Sequence, residues 1–377
     1  MDRKIKNVYI IGNILGAYRS QIILSYLIDS SHYRVNFSDF SISGKEEKIT
    51  IKILKLLDVI FASMFRLYFL IRADMVVVLP MNNNKIVQIL TAKLFRKKIV
   101  ADFYISYYET RVIDRKMVSN NSFKARLYRF YDLQLLKCKK VFFLNHSEAH
   151  YYINTVQKNK SFEVNSSILP LCMEAREPAQ LNYFNNNSEN CLRICWWGTF
   201  IPLHGLDSII EAAAKTKKLG LNIEFHLFGD SEENAVPYLK MIEDLQVKDK
   251  VTLYSDYSFS NGKLERFLME NCDVALGAFG NTEKAMTVIT NKLVDAISMK
   301  IPVVTCHSNG AKEYFFDTID LFYSSNEPEE LADTLLEISK KTNHEIHQLT
   351  NSAFVKFKSS FSKEAFVKKF QNELESI

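Results

Sequence analysis

The chain lacks the usual signs of several protein classes. Its six cysteines, Cys138, Cys172, Cys191, Cys195, Cys272 and Cys306, form no CxxC pair and have no accompanying histidine cluster. They are therefore read as reduced, mostly buried thiols of a cytoplasmic protein rather than zinc ligands or disulfides. No apolar run approaches the roughly 18 residues a transmembrane helix requires. The most apolar stretch, residues 49–80, is interrupted by Lys52, Lys55, Asp58, Arg66 and Arg72. No GxGxxG follows any predicted strand, and GNILGAYR has the wrong spacing, which disfavours a redox Rossmann enzyme. The formal charge of +5 is too small an excess to argue for nucleic acid. No internal repeat is visible.

What is present is an ordinary globular composition, 47% hydrophobic and 24% charged over 377 residues, long enough for two domains. The basic start with its short apolar run is read as a first strand over residues 8–11 rather than a signal peptide. Apolar β-rich runs then alternate with helical periods, the pattern of parallel α/β sheets. In the first half the strands are NVYII, YRVNFSDF, MVVVL, KIVADFYI and KVFFLN, with helices over 18–30, 85–95 and 122–137. Residues 175–190 break the apolar pattern with a polar run and are the best linker. The second half restarts with LRICWWG, IEFHLFG, KVTLYS, VALGAF, IPVVTC and DLFYS. The fold expected is α/β, with two open parallel-sheet domains and the ligand at the carboxyl ends of strands, in the cleft between them. Their bounds are 1–180 and 190–360, and residues 361–377 form a terminal helix that packs back on the first domain.

The most informative segment is RICWWGTFIPLHGLDSIIEAA, in which an apolar strand enters a glycine-containing turn and opens an amphipathic helix. Such a unit aims backbone N–H groups and a helix dipole at one point, which suits a phosphate or diphosphate. Together with IEFHLFGD, VTLYSDYSFSNGKLERFLMENCDVALGAF and TEKAMTVITNKLVDAISMKIPVVTCHSNGAKEYF, in that order, it resembles the nucleotide-sugar domain of GT-B glycosyltransferases. The similarity is to family 4, the group 1 enzymes of bacterial surface polysaccharide synthesis. DFYISYYETRVIDRK and KVFFLNHSEAHYY resemble the acceptor domain of the same subgroup.

The resemblance implies a donor site containing Gly198, Thr199, Gly205, Asp230, Tyr257, Thr287, Asn291 and Asp295. In the family an arginine and a lysine stabilise the leaving diphosphate. Here Thr199 and His204 stand in those positions, so the positive charge falls to Lys284 and Lys292, which together with His204 form the candidate catalytic set. The alternatives are a loop histidine packed on Trp197 and a solvated helix-start lysine. Asp295 matches the ribose-binding glutamate, and its carboxylate can accept two hydroxyl protons. Thr287 replaces the other glutamate. Asp230 is a donor contact or a helix cap, and Glu313 matches a glutamate on the phosphate side. On the acceptor side, Asp102, Tyr104, Tyr107, Glu109, Arg111 and Asp114 gather at a strand end. The other reading there is a surface loop with a Glu109–Arg111 ion pair.

No DxD motif or metal-ligand spacing is seen, and the resemblance implies no bound metal or other cofactor. The partners implied are a nucleotide sugar and a lipid-linked saccharide acceptor. The reaction the resemblance implies is a retaining transfer to an O-antigen or capsule glycan. A nucleotide-sugar epimerase or a non-catalytic GT-B relative remains the alternative. The apolar, basic stretch 49–80 is either a core helix or a helix lying on an anionic membrane surface, which would make the protein peripheral on the inner face of the cytoplasmic membrane.

Overall fold

The computed structural model describes residues 5–13, 17–37, 64–158, 162–176, 178–179, 191–229 and 231–377. The linker reading of 175–190 falls largely outside these residues, as do Lys52, Lys55 and Asp230. The chain divides into two compact units: residues 1–144, 152–169 and 367–377 form the first, and residues 145–151 and 170–366 the second. Among the described residues, no helix is long and apolar enough to cross a membrane.

The first unit is built on six parallel strands: β1 Lys6–Ile11, β2 Tyr33–Phe37, β3 Met75–Val78, β4 Lys98–Asp102, β5 Lys140–Phe143 and β6 Ser166–Ile168. Their order is β2-β1-β3-β4-β5-β6. MVVV and KVFF are buried runs because helices cover both faces of a parallel sheet, leaving no solvent face for alternation. β6 was not predicted: SSI has neither the length nor the apolar run of a strand, and only its pairing with β5 defines it. Strand order reverses between β1 and β3, where Gly12 follows β1 at φ +128 and a Cβ would meet the Asn82 side chain at 2.4 Å. The last residues of the chain belong to this unit. Phe370 packs edge-on to Tyr26 and Phe142, and Glu373 pairs with Lys140 at 2.9 Å.

A buried carboxylate organises the loop after β4. Asp132, on the helix Phe123–Leu136, accepts hydrogen bonds from Ser106 Oγ (2.6 Å), Asn83 Nδ2 (2.7 Å), Tyr108 N (2.9 Å) and Tyr107 N (3.2 Å). Burial pushes its pKa up to about 6 against the pull of these four donors.

The second unit repeats the plan with β7 Leu192–Trp197, β8 Ile223–Phe228, β9 Val251–Tyr254, β10 Val274–Leu276, β11 Val303–Cys306 and β12 Phe322–Ser324, ordered β12-β11-β10-β7-β8-β9, all parallel. Leu192, Ile194 and Trp196 of β7 share one core with Ile209, Ile210 and Ala213 of the helix Leu206–Lys218, where the 3.6-residue period brings the apolar positions to one face. The order reverses between β7 and β10, so the loops after these two strands meet at a topological switch point, where open α/β sheets bind ligands.

Asp132→Asn offers an amide NH2 to two of the four donors. The expected loss of stability at neutral pH is about 2–4 kcal/mol, measured by urea denaturation. The native pKa lies above the unfolded one, so the carboxyl's contribution is complete below about pH 4 and is lost as pH rises through about 6. The gap between wild type and variant should therefore be wider at about pH 4 than at about pH 7; a gap that widens toward neutral pH contradicts this.

Candidate active site

At the switch point of the second unit, β7 is followed by Gly198, whose φ of +153 favours glycine. The chain then makes a short 3₁₀ turn over Pro202–His204 and enters the helix Leu206–Lys218 through Gly205 at φ +58. A Cβ on Gly205 would lie 2.3 Å from the backbone carbonyl of Phe279, and Phe279 N and Gly280 N donate to His204 O (3.0 Å) and Leu203 O (3.1 Å). The two switch-point loops are thus laced together through backbone.

Three side chains converge beside Gly198. Trp196 is fully buried, stacked on Phe200 and met edge-on by His204 at 5.8 Å between centroids. Lys292 Nζ lies 4.1 Å above the Trp196 ring, and the vacant Cβ position of Gly198 is 3.0 Å from that amine and 3.1 Å from the His204 ring. His204 Nδ1 is 2.6 Å from the carbonyl oxygen of Thr199. A carbonyl only accepts, so Nδ1 carries the proton and the imidazole is oriented by its own loop. His204 therefore packs on Trp196, not on Trp197.

Lys292 is the most telling residue. It sits in the first turn of the helix Asn291–Ser298, is 5% exposed, and its amine has no hydrogen-bond partner. The reading as a solvated helix-start lysine is thereby overturned: seven of the helix's eight residues are buried, Lys292 among them. Burial holds its pKa well below the usual lysine range, and the positive end of the helix acts in the same sense. A buried amine that nothing neutralises is a ready receptor for an anion.

One turn further on, Asp295 is 6% exposed, and burial raises its pKa to about 6 against the pull of Arg176, whose Nη2 is 3.6 Å from Oδ1. Arg176 also donates to Glu265 Oε1 at 2.6 Å and lies 4.3 Å over the Phe259 ring, which meets Trp197 edge-on. Arg176 and Phe259 escaped sequence reasoning, the first because it lies in the stretch read as a linker.

The remaining predicted donor residues are more dispersed. Lys284 is buried in the preceding turn, and Thr287 directs its hydroxyl to Lys284 O at 3.0 Å, within its own turn. Asn291 is exposed at the helix start. Tyr257 packs with Phe228, Tyr254 and Phe267 in an aromatic cluster. Glu313 serves a structural role: its carboxylate accepts from His146 N (2.8 Å), Ser147 N (2.7 Å) and Ser147 Oγ (2.7 Å), closing the start of the helix His146–Gln157.

In the first unit, Asp102 at the end of β4 is buried and accepts from Arg19 Nε at 2.5 Å, a pair not foreseen in the sequence. Burial pushes its carboxyl up, and Arg19 opposes this. Arg19 also lies 6.0 Å from the Tyr104 ring. The alternative of a surface Glu109–Arg111 ion pair fails. Glu109 is fully buried in a single π-helical turn, Glu109–Asp114, which also buries Asp114, whereas Arg111 is exposed between the Tyr107 and Tyr128 rings at 4.8 and 5.0 Å. Among the described residues, no three His, Cys, Asp or Glu gather as metal ligands.

Lys292→Met keeps the packing volume and removes a buried amine. Burial makes the native amine hold its proton less tightly than the unfolded chain does, so this lysine costs stability at neutral pH, and the cost shrinks as pH rises toward the unfolded lysine pKa. The variant should melt at a higher temperature than wild type at about pH 7, with the gain narrowing by about pH 9.5. A lower melting temperature contradicts this.

A family model described as Glycosyl transferases group 1 matches residues 192–341. No curated protein sequence matches the chain. Similar solved structures include sucrose-phosphate synthase from Thermosynechococcus elongatus, with 10% identity over 98% of both chains and a TM-score of 0.69. Alr3699/HepE of Anabaena in complex with UDP-glucose shares 12% identity over 99% of this chain and 100% of its own, with a TM-score of 0.66. WaaG, a glycosyltransferase involved in lipopolysaccharide biosynthesis, shares 14% identity over 96% of this chain and 98% of its own, with a TM-score of 0.60. At these identities the likeness is one of fold. Residues 192–341 match the glycosyl transferases group 1 model, and the chain has the two-sheet GT-B fold of these solved structures.

Proposed function

We propose that the protein transfers a hexose-type sugar from a nucleotide-diphosphate sugar to a lipid-linked saccharide during assembly of a bacterial surface polysaccharide, an O-antigen or capsule, with retention of configuration. The observation that carries the donor half of this reading is the buried, unpartnered Lys292 amine at Gly198, flanked by His204 and a helix start. The UDP-glucose held by Alr3699/HepE and the lipopolysaccharide role of WaaG support the substrate class.

In the proposed step the bond between the sugar anomeric carbon and the diphosphate oxygen breaks, and the acceptor oxygen bonds that carbon from the same face. The acceptor proton passes to the leaving phosphate, so no strong protein base is required. Charge growing on the diphosphate meets Lys292 as ammonium, with Lys284 and, when its Nε2 is also protonated, His204 as further donors and no bound metal in the scheme. Asp295 takes the ribose hydroxyls. The acceptor is assigned to the first unit, around Asp102, Tyr104, Glu109 and Arg111.

A peripheral site on an anionic inner membrane face is part of the proposal. In the helical stretch 64–72, Met64, Phe65, Tyr68 and Ile71 are exposed, Phe65 by 60%, beside Arg66 and Arg72. Apolar side chains mixed with cations suit a bilayer carrying anionic lipids.

Screening UDP-, GDP-, ADP- and dTDP-sugars by thermal shift and hydrolysis should reveal one that binds and turns over. Lys292→Met should then lower turnover by about 10²–10³-fold. Binding of none of the four, or unchanged turnover in the variant, sinks the transferase reading. Separately, Phe65→Asp with Arg66→Glu should weaken co-sedimentation with phosphatidylglycerol vesicles; unaltered sedimentation rejects that surface.

A further inference from the structure

Arg176 has no part in the scheme above, yet it is held more firmly than a linker residue needs to be. Its guanidinium is fixed from three sides, by Glu265 at 2.6 Å, by the Phe259 ring at 4.3 Å and by Asp295 at 3.6 Å. Glu265 comes from the first turn of the helix Lys263–Asn271, Phe259 from the loop before it and Asp295 from the helix Asn291–Ser298. Arg176 therefore ties together three segments of the second unit. Its Nη2 faces Asp295 Oδ1.

We propose that Arg176 is a positioning residue that keeps the Asp295 carboxylate charged and aimed, and so confers a preference for nucleotides with an intact ribose diol. The inference rests on the nucleotide-sugar reading of this site. A buried carboxylic acid donates one proton and accepts poorly, whereas a carboxylate accepts from both ribose hydroxyls. Which form is present depends on the charges around it. Burial disfavours the carboxylate, and Glu265, a second negative charge, adds to that; Arg176 is the cation that opposes both. Glu265 also has a positive role, since its hydrogen bond holds the guanidinium in place beside Asp295.

The experiment compares wild type, Arg176→Met and Arg176→Lys in the full chain with UDP and GDP and their 2′,3′-dideoxy counterparts, by calorimetry at about pH 6.5 and about pH 8.5, alongside the ¹³C titration of the Asp295 carboxyl. In wild type the ribonucleotide that binds should exceed its dideoxy form by about 10-fold or more, the scale of hydrogen bonds to a charged group. Arg176→Met should bind both forms alike at the lower pH and regain part of the preference at the higher. Its Asp295 titration should move upward, and Arg176→Lys should keep both properties near wild type. A ribose preference unchanged in Arg176→Met, an equal loss for both nucleotide forms at both pH values, or an unmoved Asp295 titration overturns the proposal while leaving the nucleotide site standing. If wild type binds none of UDP, GDP, ADP and dTDP, the nucleotide reading fails, and the ribose role of Arg176 fails with it.

Discussion

The second unit is organised by the closeness of two backbones. Gly205 lies so near the Phe279 carbonyl that no side chain fits between them, and two hydrogen bonds lace residues 203–204 to 279–280. This contact fixes where the helix Leu206–Lys218 starts and brings the loops after β7 and β10 together at the reversal of strand order. Everything placed at the switch point depends on it: the turn at Gly198, the orientation of His204 by Thr199, and the space beside Gly198 toward which Lys292 points.

The chemistry of that space follows from an imbalance of charge. Trp196 gives the Lys292 amine an aromatic face but no acceptor, so the cation is sheltered without being neutralised. In the nucleotide-sugar scheme, a ligand bringing two phosphate charges corrects the imbalance. One turn away Asp295 has the opposite sign and is the better balanced of the two, because Arg176 faces it. In the proposed reaction, cation and carboxylate on successive turns of one short helix take the charged phosphates and the neutral ribose hydroxyls in turn.

How much of this could be read beforehand varied with sequence distance. The strand, glycine turn and helix around Gly198 and Gly205 are contiguous, so apolar periodicity and glycine placement exposed them, and the same patterning revealed every strand of the second unit. β6 escaped because three residues, two of them serines, have no pattern of their own. The burial of Lys292 was invisible because a lysine at a helix start has the same local signature whether it is solvated or enclosed. Arg176 and Glu265 are 89 residues apart, and Asp132 reaches Asn83 across 49; contacts of this kind leave no periodic trace. Glu313 shows the reverse failure. A glutamate expected near a phosphate closes a helix start 167 residues away, a site that attracts carboxylates for the same electrostatic reason that it attracts phosphates.

In the proposed reaction the Lys292 amine is the receptor for the donor diphosphate. The most direct measurement is a crystal structure of the protein with the nucleoside diphosphate that binds it. A phosphate oxygen is expected within hydrogen-bond distance of Lys292 Nζ, about 2.7–3.2 Å, beside Gly198 and His204. A bound diphosphate elsewhere, with Lys292 still lying on Trp196 and unpartnered, would contradict it.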